Sequence, residues 1–123
     1  MKKSNPIVDK SFNFAVRIVK LYKYLRGEHS EHVLSNQLLR SGTSIGANVR
    51  EAIYAQSTAD FNAEMYIALK EAGESAYWIE LLERTVYLKP SYAKSILEDC
   101  GELTKILSAI TKTLKDDTHQ AHS

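Results

Sequence analysis

Apolar residues recur along this chain at the three- and four-residue steps of an α-helix, in four blocks separated by short connectors. The first block, about 7–26, carries two stripes: Phe12, Val16, Val19, Tyr22 and Phe14, Ile18, Leu21, Leu25. Together they make a wider apolar face than one neighbouring helix needs, which points to a second partner. Asn5-Pro6 offers a cap followed by proline in the first turn, and Gly27 is the expected stop. The second block, about 31–56, starts near Ser30 or Glu31 and lines up Leu34, Leu38, Ile45, Val49 and Ile53. Ser57-Thr58-Ala59-Asp60 starts the third, about 58–88, with a hydroxyl cap and a carboxylate three residues on. Its face holds Phe61, Met65, Ala68, Leu69, Ala72, Ala76, Ile79, Leu82 and Val86, widened by Tyr66, Trp78 and Leu81.

Lys89-Pro90-Ser91 breaks the chain and recaps it. The fourth block, about 91–115, has the cleanest pattern: Ile96, Cys100, Leu103, Leu107, Ile110 and Leu114 advance by 4, 3, 4, 3 and 4, a seam of coiled-coil type. Residues 116–123 form a polar tail expected to be flexible. Long helices with short connectors predict an all-α, antiparallel up-down-up-down four-helix bundle, one domain spanning 1–123.

Gly42 and Gly46 stand four apart inside the second helix and so share a face. Each costs roughly 1 kcal/mol relative to alanine. Such a cost at two stacked positions predicts a close backbone approach or a kink. With the wide face of Phe14, Ile18 and Leu21, the glycines are the candidate residues for assembly and close packing. Thr43 and Ser44 are placed to satisfy backbone carbonyls there. The same stretch imitates a helix-turn-helix, with Gly42 turning and Thr43-Ser44 capping a helix that bears Asn48 and Arg50. Against this, Gly46 weakens a recognition helix, and Ile45, Val49 and Ile53 continue the core stripe.

Charge changes the picture more than composition does. A 25% share of charged and 44% of apolar residues is that of a soluble globular protein. Net charge is +1, yet residues 1–27 carry seven basic residues against Asp9, a local +6, which leaves −5 for the rest. Arg17, Lys20, Lys23 and Arg26 advance three at a time along one slanted row, a candidate nucleic-acid ridge. The competing reading pairs this basic helix with acidic ones, within the subunit or across an interface. Tyr22, Tyr24 and Tyr54 are able to stack on bases, though interface tyrosines more often serve packing.

Candidate chemistry is thin. No inward Glu-x-x-His pair of a di-metal bundle is present. His29 and His32 fall in a connector, and His119 and His122 in the tail; no metal or cofactor is expected. Cys100, the single cysteine, sits on a core stripe and gives no reason to place the chain in an oxidising compartment. No glycine loop for nucleotides, activated nucleophile, signal peptide or membrane-spanning run is visible, so a cytoplasmic, non-enzymatic protein is expected.

Gln37 to Ala52, followed by Ser57 to Phe61, Ile67-Ala68-Leu69-Lys70-Glu71-Ala72 and Tyr77-Trp78-Ile79-Glu80-Leu81-Leu82, resembles the four-helix-bundle family named for proteins encoded in 23S ribosomal RNA intervening sequences. That family also takes in the accessory variability proteins of diversity-generating retroelements. The resemblance runs from about Phe14 to Leu114. It implies a small helical subunit that assembles into a ring, a homopentamer. It also implies a scaffold or accessory factor whose partners are RNA, DNA or a nucleoprotein enzyme, and no membrane. The alternative is a structural or protein-binding oligomer without nucleic-acid affinity.

Overall fold

A computed structural model describes the backbone of residues 5–121 and the side chains of residues 5–113. The expected seam residue Leu114, the histidines His119 and His122, and Lys2 and Lys3 lie outside the described side chains. Four helices follow in order: α1 (Pro6–Glu28), α2 (Val33–Ile53), α3 (Thr58–Arg84) and α4 (Pro90–Ala121). Each packs on its sequence neighbours, and α1 closes the ring of contacts on α4 by the thinnest seam of the four. Connectors as short as 29–32, 54–57 and 85–89 force consecutive helices to run antiparallel. The molecule is an all-α four-helix bundle.

The core follows the stripes. Phe14, Ile18, Leu21 and Leu25 of α1, Leu38, Ile45 and Val49 of α2, Met65, Ile79 and Leu82 of α3, and Ile96, Cys100, Leu103 and Leu107 of α4 are buried. Burying each large side chain contributes about 1.5–3 kcal/mol. Small residues let the α2–α3 pair approach: Ser41 and Ser75 meet Oγ to Oγ at 2.9 Å in the interior. Ser75 Oγ also lies 2.9 Å from the Glu71 carbonyl, so neither hydroxyl is buried without a partner.

The glycine pair has a definite partner inside the subunit. A Cβ on Gly42 would stand 2.7 Å from Cγ1 of Ile18, and one on Gly46 would stand 3.3 Å from the Ser11 carbonyl oxygen. The close approach is therefore that of α1 on α2 in one chain, and it uses Ile18 and Ser11. Phe14, Ile18 and Leu21, expected at an assembly surface, are spent on the same internal packing. Helix α2 runs unbroken through both glycines, with no glycine at positive φ, which removes the turn that a helix-turn-helix needs. Thr43 Oγ1 donates to the Leu39 carbonyl at 2.7 Å, as expected of a hydroxyl there. Ser44 Oγ instead accepts from Asn48 at 2.9 Å.

Helix ends depart from the sequence reading where side chains outside the helix decide them. Helix α1 runs through Gly27 to Glu28 and α2 begins at Val33, because Glu31 caps α2 from the connector. Glu31 Oε1 accepts from the N–H groups of Val33 at 3.1 Å and Leu34 at 2.7 Å, while Oε2 accepts from Ser35 N–H at 2.7 Å. Its own N–H donates to the Leu25 carbonyl at 3.0 Å, so one residue ties the end of α1 to the start of α2. Ser57 caps α3 as expected, accepting from Asp60 N–H at 3.1 Å. That helix stops at Arg84, short of Leu88: Val86 takes φ 71°, and the N–H groups of Val86 and Tyr87 return to the carbonyls of Glu83 and Leu82. A β-branched residue in that region costs on the order of 1–3 kcal/mol. Val86, expected on the core face, is 84% exposed. Ile53 likewise turns outward at the end of α2. Pro90 rather than Ser91 opens α4, and its backbone continues past Lys115, where the flexible tail is expected to start, to Ala121.

Burial alone would raise the pKa of Glu31, but the backbone N–H groups of Leu34, Ser35 and Val33 and the Ser35 side chain outweigh it and hold the carboxyl below its ordinary value. A lowered folded-state pKa stabilises at pH above the unfolded value of about 4.3 and is lost as pH falls through the folded value. Glu31→Gln puts an amide NH2 against a backbone donor. It should cost about 1–3 kcal/mol at pH 7. Denaturant titrations should show the gap to wild type closing below about pH 4. Gly42→Ala gains helix propensity yet drives a methyl into Ile18. A net loss of about 1–3 kcal/mol is expected, and a stabilised variant would show that the α1–α2 contact gives way.

Candidate nucleic-acid and assembly surfaces

The N-terminal half of α1, up to its midpoint at Arg17, meets α4 through charge. Lys10 Nζ reaches Glu102 at 2.6 Å, and Arg17 Nη1 donates to Asp99 Oδ2 at 2.7 Å and to Ser95 Oγ at 3.2 Å. The Arg17 guanidinium also lies over the Tyr92 ring, 5.4 Å from its centre. Partial burial would lower the pKa of Arg17; Asp99 and Tyr92 more than offset this, so the pKa is raised. At the other end of the expected ridge, Arg26 Nη1 donates to Tyr22 Oη at 2.6 Å and to Asn36 Oδ1 at 3.3 Å. The four-residue ridge is thus divided. Arg17 is engaged by α4 and Arg26 by Tyr22 and α2. Lys20 and Lys23 are exposed and make no ion pair among the described residues.

Of the two apolar stripes on α1, one is internal and the other faces outward. Phe12, Val16 and Val19 are exposed, with Phe12 53% accessible. Beside them, an open groove of about 750 Å³ runs between α1 and α2, lined by Val8, Phe12, Ala15, Gly46, Ala47 and Tyr54 among others. Tyr54 is 80% exposed at its end, and the Arg50 guanidinium lies 5.6 Å above the Phe12 ring. This outward stripe is legible in the sequence, but its partition from the inward one is not, because both have helical spacing.

A second, smaller cavity of about 340 Å³ opens at the α1–α4 edge. Leu21 and Leu88 form its floor, with Lys20, Tyr24, Lys89 and Tyr92 around them. Tyr24 Oη lies 3.1 Å from His29 Nε2, and the two rings meet edge to face at 5.2 Å. His29 in turn meets Tyr87 edge to face at 5.6 Å. The connector histidine, though exposed, packs edge to face against two tyrosine rings. Sequence reading misses Lys89 and Tyr92, since Lys89-Pro90-Ser91 registers only as a break and Tyr92 falls on no stripe.

Cys100 is a packing residue. Its thiol donates to the Ala72 carbonyl at 3.2 Å, and burial pushes it up to about 11, leaving negligible thiolate at neutral pH. Arg40 pairs with Glu71 at 3.1 Å and with Glu74, and Glu74 also accepts from Trp78 Nε1 at 3.1 Å, a polar seam on the α2–α3 flank. Among the described residues no group of three or more His, Cys, Asp or Glu side chains is arranged to hold a metal ion. No helix among them is long and apolar enough to cross a membrane.

Comparison with known proteins agrees with this architecture. The chain is similar to a crystal structure from Bacteroides thetaiotaomicron, a protein with unknown function from the S23 ribosomal protein family. Identity is 56%, the match covers 88% of this chain and 96% of that one, and the TM-score is 0.86. No curated protein matches. The model of the 23S rRNA-intervening sequence protein family matches residues 3–109, across all of α1, α2 and α3 and much of α4. With the bundle and the long match together, this chain belongs to the 23S rRNA-intervening sequence protein family.

Proposed function

We propose that the protein is a non-enzymatic subunit of a self-assembling ring, and that the ring serves as a scaffold or accessory factor. The observation that carries this is the outward stripe Phe12, Val16 and Val19, beside an apolar groove that ends in exposed Tyr54. Contiguous apolar surface rimmed by polar groups marks an interaction site. A second copy is the proposed occupant, since a ring presents the same face repeatedly and buries each copy's stripe on the next. Five subunits are favoured by the family resemblance. Gly42 is occupied within the subunit by Ile18, whereas Gly46 both faces the Ser11 carbonyl and lines this groove.

A second reading adds nucleic acid. Lys20 and Lys23 are exposed cations without a carboxylate partner among the described residues. Repeated around a ring, they would supply a band of positive charge for phosphates. The ion pair of Arg17 with Asp99 and the hydrogen bonds of Arg26 to Tyr22 and Asn36 reduce the ridge that the sequence suggests, so the expected affinity is modest and sensitive to salt.

Light scattering or native mass spectrometry should give one ring-sized species, with five subunits favoured. Phe12→Glu with Val16→Glu should shift it to monomer while helicity is retained; a wild-type monomer at micromolar concentration refutes assembly. For the second reading, Lys20→Gln with Lys23→Gln should weaken binding to mixed single-stranded RNA across sequences alike. It should also flatten the salt dependence by roughly 0.7 in log–log slope for each phosphate that is no longer neutralised. Equal slopes in variant and wild type would move the phosphate-binding groups elsewhere.

A further inference from the structure

The small cavity at the α1–α4 edge differs chemically from the assembly groove. It combines an apolar floor, Leu21 and Leu88, with two tyrosine rings and two lysines, and no acidic residue lines it. We infer that this cavity binds a single unstacked nucleotide, with the base laid against Tyr24 and Tyr92 over the leucine floor and the phosphate held by Lys20 and Lys89. The inference rests on the phosphate-binding reading above and adds to it a place where a base is recognised.

Size and charge both point to this ligand class. About 340 Å³ is near the lower limit of small-molecule sites, room for one ring-bearing group and not for a helix. An inorganic phosphate would leave the leucine floor and both rings uncovered. A purely apolar ligand would leave two ammonium groups unanswered beside it. A planar base attached to a phosphate satisfies both halves. Lys20 and Lys89 make no ion pair among the described residues, so no internal carboxylate competes for them.

Both rings are held before any ligand arrives. Tyr92 lies under Arg17, itself bonded to Asp99 at 2.7 Å. Tyr24 is held by His29, through the 3.1 Å contact at its hydroxyl and the edge-to-face packing of the two rings. Rings fixed in place lose little freedom when a base stacks on them. Stacking tolerates any base, since every base presents a π-face, so a preference for unpaired over paired strands is expected, with little sequence choice. The same chemistry is carried by a free mononucleotide and by an unpaired residue of a strand.

The test titrates the full-length protein at low salt with an eight-nucleotide single-stranded RNA, a duplex of equal length, and AMP. The single strand should bind at least about tenfold more tightly than the duplex. Tyr92→Leu and Tyr24→Leu should each lose about tenfold at an unchanged salt slope, while Tyr92→Phe keeps the affinity and Tyr24→Phe, which gives up only the hydroxyl contact to His29, loses less than Tyr24→Leu. The phenylalanine variants also keep the comparison interpretable if a leucine variant fails to fold. Lys89→Gln should lower affinity and reduce the slope by about 0.7. Saturable AMP binding with the same tyrosine dependence would support the site with a free nucleotide as its source. Strand binding alone would support it with an unpaired residue. Tyrosine variants that bind like wild type, while Lys23→Gln still weakens binding, overturn the cavity and leave the phosphate ridge standing. No binding of any probe overturns both. A change in subunit number on Tyr92→Leu, without loss of affinity, makes the cavity a contact between copies and overturns the assignment.

Discussion

Where α1 crosses α2, nothing larger than a hydrogen fits opposite Ile18, and Gly46 brings the second backbone against the Ser11 carbonyl. Much else follows from that approach. It fixes the rotation of α1, sending Phe14, Ile18, Leu21 and Leu25 inward and leaving Phe12, Val16 and Val19 outside. Packing at this density tolerates little added volume, so the two glycines are tied to their positions by the neighbour they face. The Glu31 clamp works alongside, since one carboxylate that accepts three N–H groups sets where α2 begins relative to the end of α1.

The opposite side of α1 is held differently. Its contact with α4 is the thinnest in the bundle and is bridged by Lys10–Glu102 and Arg17–Asp99. Half-exposed ion pairs of this kind contribute little net stability, roughly 0–1 kcal/mol each. Their effect is positional: they keep α1 in register along α4 and consume two cations of a helix that looks strongly basic in sequence. They also leave an opening at the end of the seam, where Tyr24, Tyr92, Lys20 and Lys89 gather.

Helix α1 thus presents two surfaces of unlike chemistry. The groove toward α2 is largely apolar and is the proposed seat of a second copy, whereas the cavity toward α4 is cationic and aromatic. The two share no lining residue. In the proposed ring, a subunit docked on the groove and a nucleotide held in the cavity would use different sides of one helix, so assembly and binding need not compete.

Helical spacing by itself determined the bundle, because a period of 3.6 residues commits one face of each segment to burial whatever it packs against. The seam of α4, the Ser57 cap and the buried Cys100 were legible for the same local reason. Partners were not. Two stripes on α1 are equal by periodicity, and only the α1–α2 contact decides that Ile18 is core and Val16 is surface. The glycines announce a close approach without saying that the approaching helix belongs to the same chain. The ridge from Arg17 to Arg26 is a pattern of charges along one helix, while their engagement by Asp99, Ser95 and Asn36 depends on residues 10 to 82 positions away. Lys89 and Tyr92 join Lys20 and Tyr24 only through the return of α4 beside α1. Sequence determined which faces must be covered, since burial acts residue by residue; tertiary structure alone decided what covers them, since that depends on distances between helices far apart in the chain.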